Sequence, residues 1–149
     1  MQDLRELYQD IILDHSKHPR NFGKLSGAHR EARGNNPLCG DRITLSVKLE
    51  DGRIADAKFE AKGCAISVAS ASMMTEMIKG KTVDEARALF EQFHGLVTGK
   101  PTGDGGGELD SLAALSGVRD FPSRIKCATL PWHALTAALD GEDGEVKTE

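Results

Sequence analysis

The chain has 149 residues, 39% hydrophobic and 28% charged, the length and usage of one ordinary globular domain. A formal net charge of −4 argues against bulk capture of nucleic acid or of an anionic membrane surface. Its 3 cysteines cannot close a full set of disulfides, which leaves core packing, metal ligation and nucleophilic chemistry for them.

The N-terminus, Met1-Gln2-Asp3-Leu4-Arg5-Glu6, carries acids where a secretory signal needs bases. No apolar run approaches the ~20 residues of a membrane span, so a cytoplasmic location is expected. From Asp3 to about Lys17 the residues Leu4, Leu7, Tyr8, Ile11, Ile12 and His15 share one helical face, and Pro19 ends the helix. Residues 20–41, with Gly23, Gly27, Gly34, Pro37 and Gly40, read as a long loop closed by Cys39-Gly40-Asp41.

A hairpin follows. Ile43, Leu45, Val47 and Leu49 alternate with polar residues, and after Asp51-Gly52 so do Ala55, Ala57, Phe59 and Ala61. A two-residue turn would set Val47 opposite Asp56. A three-residue loop, Asp51-Gly52-Arg53, is therefore expected, with Leu49 against Ala55, Val47 against Ala57 and Leu45 against Phe59.

At Gly63-Cys64 the period changes from strand to helix. Ile66, Ala69, Met73 and Met77 mark a helix rich in small residues that stops near Gly80. Thr82-Val83-Asp84-Glu85 reads as a capping box for a third helix through Ala86, Leu89, Phe90, Phe93 and Val97. Gly99 to Gly107 reads as a surface loop and Leu109 to Leu115 as a short helix. A last helix from Pro122 or Ser123 buries Ala128, Trp132, Leu135 and Leu139, with Pro131 either marking its first turn or bending it. Residues 1–140 are thus expected to form one domain, and 141–149 an acidic tail without regular structure.

Each cysteine falls at the edge of an element rather than on an apolar stripe. Cys64 and Cys127 stand near helix starts, where the macrodipole and free N–H groups favour a thiolate. In an extended segment Cys39 and Asp41 would point the same way, with Gly40 letting both converge on one ion. Three thiolates and a carboxylate suit tetrahedral zinc. There is no CxxC knuckle, however, and from spacing alone buried or unligated cysteines stay in competition with a metal site. Met73, Met74 and Met77 read as core filler, and His15 and His18 as residues flanking a helix end.

Four strings carry a resemblance. They are Leu7-Tyr8…Asp14-His15…His18-Pro19-Arg20-Asn21, Asn35-Asn36-Pro37-Leu38-Cys39-Gly40-Asp41, Gly63-Cys64-Ala65-Ile66-Ser67 and Arg124-Ile125-Lys126-Cys127-Ala128-Thr129-Leu130. Together they resemble the NifU/IscU-type iron–sulfur cluster assembly proteins over residues 4 to 140. Within that family the chain most resembles the SufU-type branch, which carries an insertion, here at about residues 94–112, and a lysine, here Lys126, before the third cysteine where IscU scaffolds have histidine.

The resemblance implies an α+β fold, a small antiparallel sheet with helices packed on it. It implies one zinc held by Cys39, Asp41, Cys64 and Cys127, and sulfur acceptance on Cys39 from the persulfide of a SufS-like cysteine desulfurase. Downstream iron–sulfur assembly proteins would be further partners, and the chain would act as a sulfurtransferase-like accessory rather than a stand-alone enzyme. Metal quenches a thiolate's nucleophilicity, so the acceptor must leave the ion before reacting. Cys39, on a Gly-flanked loop, is best placed to leave, with the desulfurase supplying a replacement ligand. Arg124 and Lys126 could offset the anionic charge or hold a persulfide, or simply be solvated bases.

Two other readings use the same residues. Cys39, Cys64 and Cys127 could carry an iron–sulfur cluster on a scaffold, or the zinc domain could serve only as an interaction module. Lys126 and the insertion favour sulfur transfer over the scaffold. The exposed position expected for Cys39 argues against the module.

Overall fold

The computed structural model describes residues 4–23, 25, 30–36, 40–98, 122–140 and 145–147. Helix α1 (Leu4–Lys17) precedes three antiparallel strands, β1 (Arg30–Asn36), β2 (Asp41–Glu50) and β3 (Arg53–Lys62). Helices α2 (Ala65–Ile78), α3 (Val83–Thr98) and α4 (Pro122–Asp140) follow, and then a short strand β4 (Glu145–Lys147). The sheet order is β3-β2-β1-β4, with β4 parallel to β1. Helices α2 and α4 cover one face of the sheet, α1 packs on α2, and α3 packs on α4. This is the α+β architecture expected. The loop and short helix expected over 99–117 lie outside the described residues.

The hairpin keeps the expected register in its body but not at its tip. Val47 faces Ala57 and Leu45 faces Phe59, yet Leu49 pairs with Ile54 and Glu50 with Arg53. The turn is the two-residue Asp51-Gly52, with φ of +53° and +76°, the geometry that Asp-Gly favours in a tight hairpin. The one-residue offset is absorbed beyond the turn, where the register shifts between Lys48 and Leu49. Ala55 is the extra residue, and it is exposed while Ile54 is fully buried. Burying the larger side chain and keeping the favoured turn both select this bulge over a three-residue loop.

Strand β1 occupies what reads in sequence as loop. Its inward residues are Ala32, Gly34 and Asn36, two of them small and one polar, so no hydrophobic alternation announces it. The reason is close packing. A Cβ on Gly34 would stand 2.9 Å from both Ile43 Cγ2 and Leu130 Cδ1, so α4 lies directly on this strand. Strand β4 likewise replaces part of the unstructured tail expected over 141–149.

Helix α2 is buried along most of its length. Its small side chains let α4 approach until the Ser70 hydroxyl donates to the Ala128 carbonyl at 2.5 Å. Met73 and Met74 are core residues, as their spacing indicates. The capping box before α3 forms in full: Thr82 N–H donates to Glu85 Oε1 and Glu85 N–H to Thr82 Oγ1. In α4, Pro131 sits in the helix interior and has no N–H to offer the carbonyl of Cys127, four residues earlier. An interior proline costs about 3 kcal/mol. The Trp132 ring beside it, stacked on Phe93 with centroids 5.0 Å apart, shows the aromatic burial that offsets this. Among the described residues no helix is long and apolar enough to cross a membrane.

His15 locks α1 to α2. Its Nδ1 lies 2.8 Å from Ser72 Oγ, which also accepts the Arg20 N–H, so the serine proton is available for the imidazole. Burial, reinforced by Arg20 and opposed by Glu76 and Asp14, holds the ring's pKa below the usual histidine value. His133, in the seam where its ring meets Phe90, is lowered by burial and by His94. Below about pH 6.5 the unfolded chain therefore binds protons that the folded chain does not. The stability that neutral His15 contributes is complete above that pH and is lost as pH falls. The urea midpoint should decline between pH 7 and pH 5, and the decline should be shallower in His15→Asn; an equally steep profile in the variant would show that His15 is not the group responsible.

Candidate metal centre

The centre forms where three elements meet at one end of the sheet. Asp41 is the first residue of β2 and pairs with Asn36, the last of β1. Cys64 is the residue just before α2, in extended conformation, and its side chain makes no capping bond. Asp41 meets the helix start from the adjacent strand instead: its Oδ1 accepts the Cys64 N–H at 2.8 Å. The carboxylate is fully buried, and a hydrogen bond to a buried charge stabilises by roughly 1.5–3 kcal/mol. The other oxygen, Oδ2, lies 3.5 Å from Cys64 Sγ.

Helix α4 brings the third group. Cys127 lies a full turn inside the helix and is completely buried, deeper than the element-edge position expected from sequence. Ligand atoms of Asp41, Cys64 and Cys127 all fall within 4.8 Å of one another. Arg124, exposed and one turn before Cys127, lies within electrostatic reach of both sulfurs. The charges of Cys64 foremost and Cys127 next raise its pKa further above the ordinary arginine value. Lys126 is half-buried beside Cys127. Cys39 lies outside the described residues; Gly40, next to it in the chain, donates its N–H to the Asn36 carbonyl at 2.8 Å.

Two residues matter here that the motif reading does not single out. Gly63 has φ of +144°, and a Cβ there would stand 2.1 Å from Asp41 Oδ1. Only glycine leaves room for the carboxylate to reach the Cys64 N–H. The Asn36 side chain, 1% exposed, donates from Nδ2 toward Cys127 Sγ at 3.6 Å. A glycine directly before a cysteine is a visible signal in the sequence. A buried asparagine in a strand without alternation is not.

A partly buried carboxylate–dithiol cluster that could hold a metal ion, at one end of an antiparallel sheet with helices packed on it, defines the class of α+β protein. The pattern of the NifU-like N terminal domain matches residues 7–141, and the chain belongs to that family. It is 47% identical over 142 residues to the zinc-dependent sulfurtransferase SufU of Bacillus subtilis (strain 168), a match covering 95% of each chain. It is 43% identical to the iron–sulfur cluster assembly scaffold protein IscU of Streptococcus pyogenes serotype M1, covering 93% of this chain and 86% of that one. Among solved structures, a putative iron–sulfur cluster assembly scaffold protein for the SUF system from Fervidobacterium islandicum AW-1 superposes with a TM-score of 0.82 at 36% identity. That match covers 92% of this chain and 99% of the other.

Gly63→Ala should displace the Asp41 carboxylate and press on the start of β2, since the new Cβ would meet both Asp41 Oδ1 and Asp41 Cα. Zinc affinity, read by competition with a chromophoric chelator, is expected to fall by at least about tenfold. Affinity equal to that of the unaltered protein would remove Asp41 from the ligand set.

Proposed function

We propose that this protein works in iron–sulfur cluster assembly as a zinc-dependent sulfur acceptor. It takes persulfide sulfur on Cys39 from a cysteine desulfurase, with Cys39, Asp41, Cys64 and Cys127 as ligands. The observation that carries this reading is the convergence of Asp41, Cys64 and Cys127 on one point. The 47% identity to a zinc-dependent sulfurtransferase supports it. A reducing cytoplasm suits a chain whose thiols must stay free.

The donor set fits zinc. Tetrahedral bonds of about 2.0 Å to oxygen and 2.3 Å to sulfur place such donors about 3.5 Å apart. Asp41 Oδ2 and Cys64 Sγ are separated by 3.5 Å. When bound, zinc would keep the thiolates deprotonated and ordered. The protein's own groups do the rest. Asp41 is anchored through Oδ1, which leaves Oδ2 for the ion. Cys64 is held by the start of α2 and Cys127 by the body of α4. Arg124, whose charge is felt at both sulfurs, offsets the surplus negative charge of an all-anionic ligand set.

In the transfer itself a free Cys39 thiolate would attack the terminal sulfur of the desulfurase persulfide. A sulfur–sulfur bond forms on Cys39 as the desulfurase's own sulfur–sulfur bond breaks, and its cysteine leaves as a thiolate. The exchange is redox-neutral and needs no general base once the thiolate is free.

Scaffolding of an iron–sulfur cluster is the second reading, and the 43% identity to an IscU supports it. The same sulfurs would ligate iron. Lys126 counts against it, since an ammonium offers no lone pair to a metal.

Cys39→Ser should keep its circular dichroism spectrum. It should carry no persulfide after incubation with desulfurase and cysteine, and should fail to accelerate the desulfurase. Acceleration retained in the variant would assign sulfur acceptance elsewhere.

A further inference from the structure

We propose that Asn36 is a positioning residue of this site. Its side-chain amide holds Cys127 as the ligand that stays, through an N–H···S hydrogen bond that draws charge from the sulfur. The inference rests on the metal reading above.

The position is unusual for its residue type. Asn36 faces inward on β1 in step with Ala32 and Gly34, is 1% exposed, and points Nδ2 at a sulfur that is itself fully buried. Burying a carboxamide is unfavourable unless it is hydrogen-bonded. An apolar side chain would serve packing better, so the amide marks a specific need. A thiolate has no proton and can only accept, which fixes the NH₂ end toward Cys127. The separation of 3.6 Å is in the range of an N–H···S bond.

The backbone of the same residue does a second job. Its carbonyl accepts the Gly40 N–H at 2.8 Å, closing the β1–β2 connection that contains Cys39 in the chain. In the register of the sheet its partner is Asp41. One residue thus ties the Cys39-bearing connection, the carboxylate strand and the α4 cysteine together.

A charge-assisted bond of this kind stabilises the sulfur lone pair, restrains the side chain and reduces the sulfur's nucleophilicity. Cys64 already has its backbone N–H clamped by Asp41. Asp41 thus fixes the Cys64 backbone and Asn36 the Cys127 sulfur, which restrains both cysteines at the site.

The test is the cobalt(II)-substituted protein with and without Asn36→Leu, which keeps the branched shape and heavy-atom count of the side chain and removes the donor. The sulfur-to-cobalt charge-transfer band should move to longer wavelength, because the freed lone pair lies higher in energy. Zinc affinity should fall roughly 10- to 100-fold. A band that does not move overturns the proposal. Should the variant not fold, ¹¹³Cd-loaded unaltered protein reads the same bond: the Asn36 side-chain protons should couple to cadmium through the hydrogen bond, and the absence of coupling overturns the proposal. A cobalt protein lacking any charge-transfer band before substitution would instead overturn the metal reading, a different signature from an unmoved band.

Discussion

The carboxylate of Asp41 meets the backbone at the start of α2. It is buried, it belongs to β2, and it reaches the Cys64 N–H because Gly63 has no Cβ to block it. A buried carboxylate is tolerable only when its oxygens are occupied. One is occupied by the helix start; the other faces the sulfur of Cys64. The hydrogen bond therefore fixes the distance between strand and helix, and the same geometry leaves one oxygen presented to an ion.

The third group depends on a different constraint, the thinness of β1. Because Ala32 and Gly34 carry little or no side chain, α4 lies close against the sheet, and Leu130 fills the space above Gly34. That contact sets the depth of α4 and so of Cys127. Asn36, at the end of the same strand, finishes the arrangement by meeting the Cys127 sulfur. Core packing and site geometry are here the same set of contacts, because the small inward residues of β1 set how closely α4 approaches the sheet.

Much of this was legible in the sequence because it is encoded locally. The helix ending just past His15, the Thr82–Glu85 cap and the buried stripe of α4 all appear where periodicity and capping place them. Asp41, Cys64 and Cys127 were legible only through motif resemblance, since spacing alone could not show that residues so far apart converge. Strand β1 was hidden, because hydrophobic alternation cannot reveal a strand whose inward residues are alanine, glycine and asparagine. The hairpin tip differs by one position from the pattern's expectation because a bulge at Ala55 and a longer loop give the same register below Lys48. The depth of Cys127 and the role of Asn36 are tertiary facts, set by how closely α4 approaches the sheet.

What distinguishes a zinc-dependent sulfur acceptor from a cluster scaffold is the metal that the folded site keeps. Metal analysis and an ultraviolet–visible spectrum of protein purified without oxygen test this directly. Equimolar zinc with no broad visible absorption is the expected result. A stable brown protein holding labile iron and sulfide in place of zinc would contradict it.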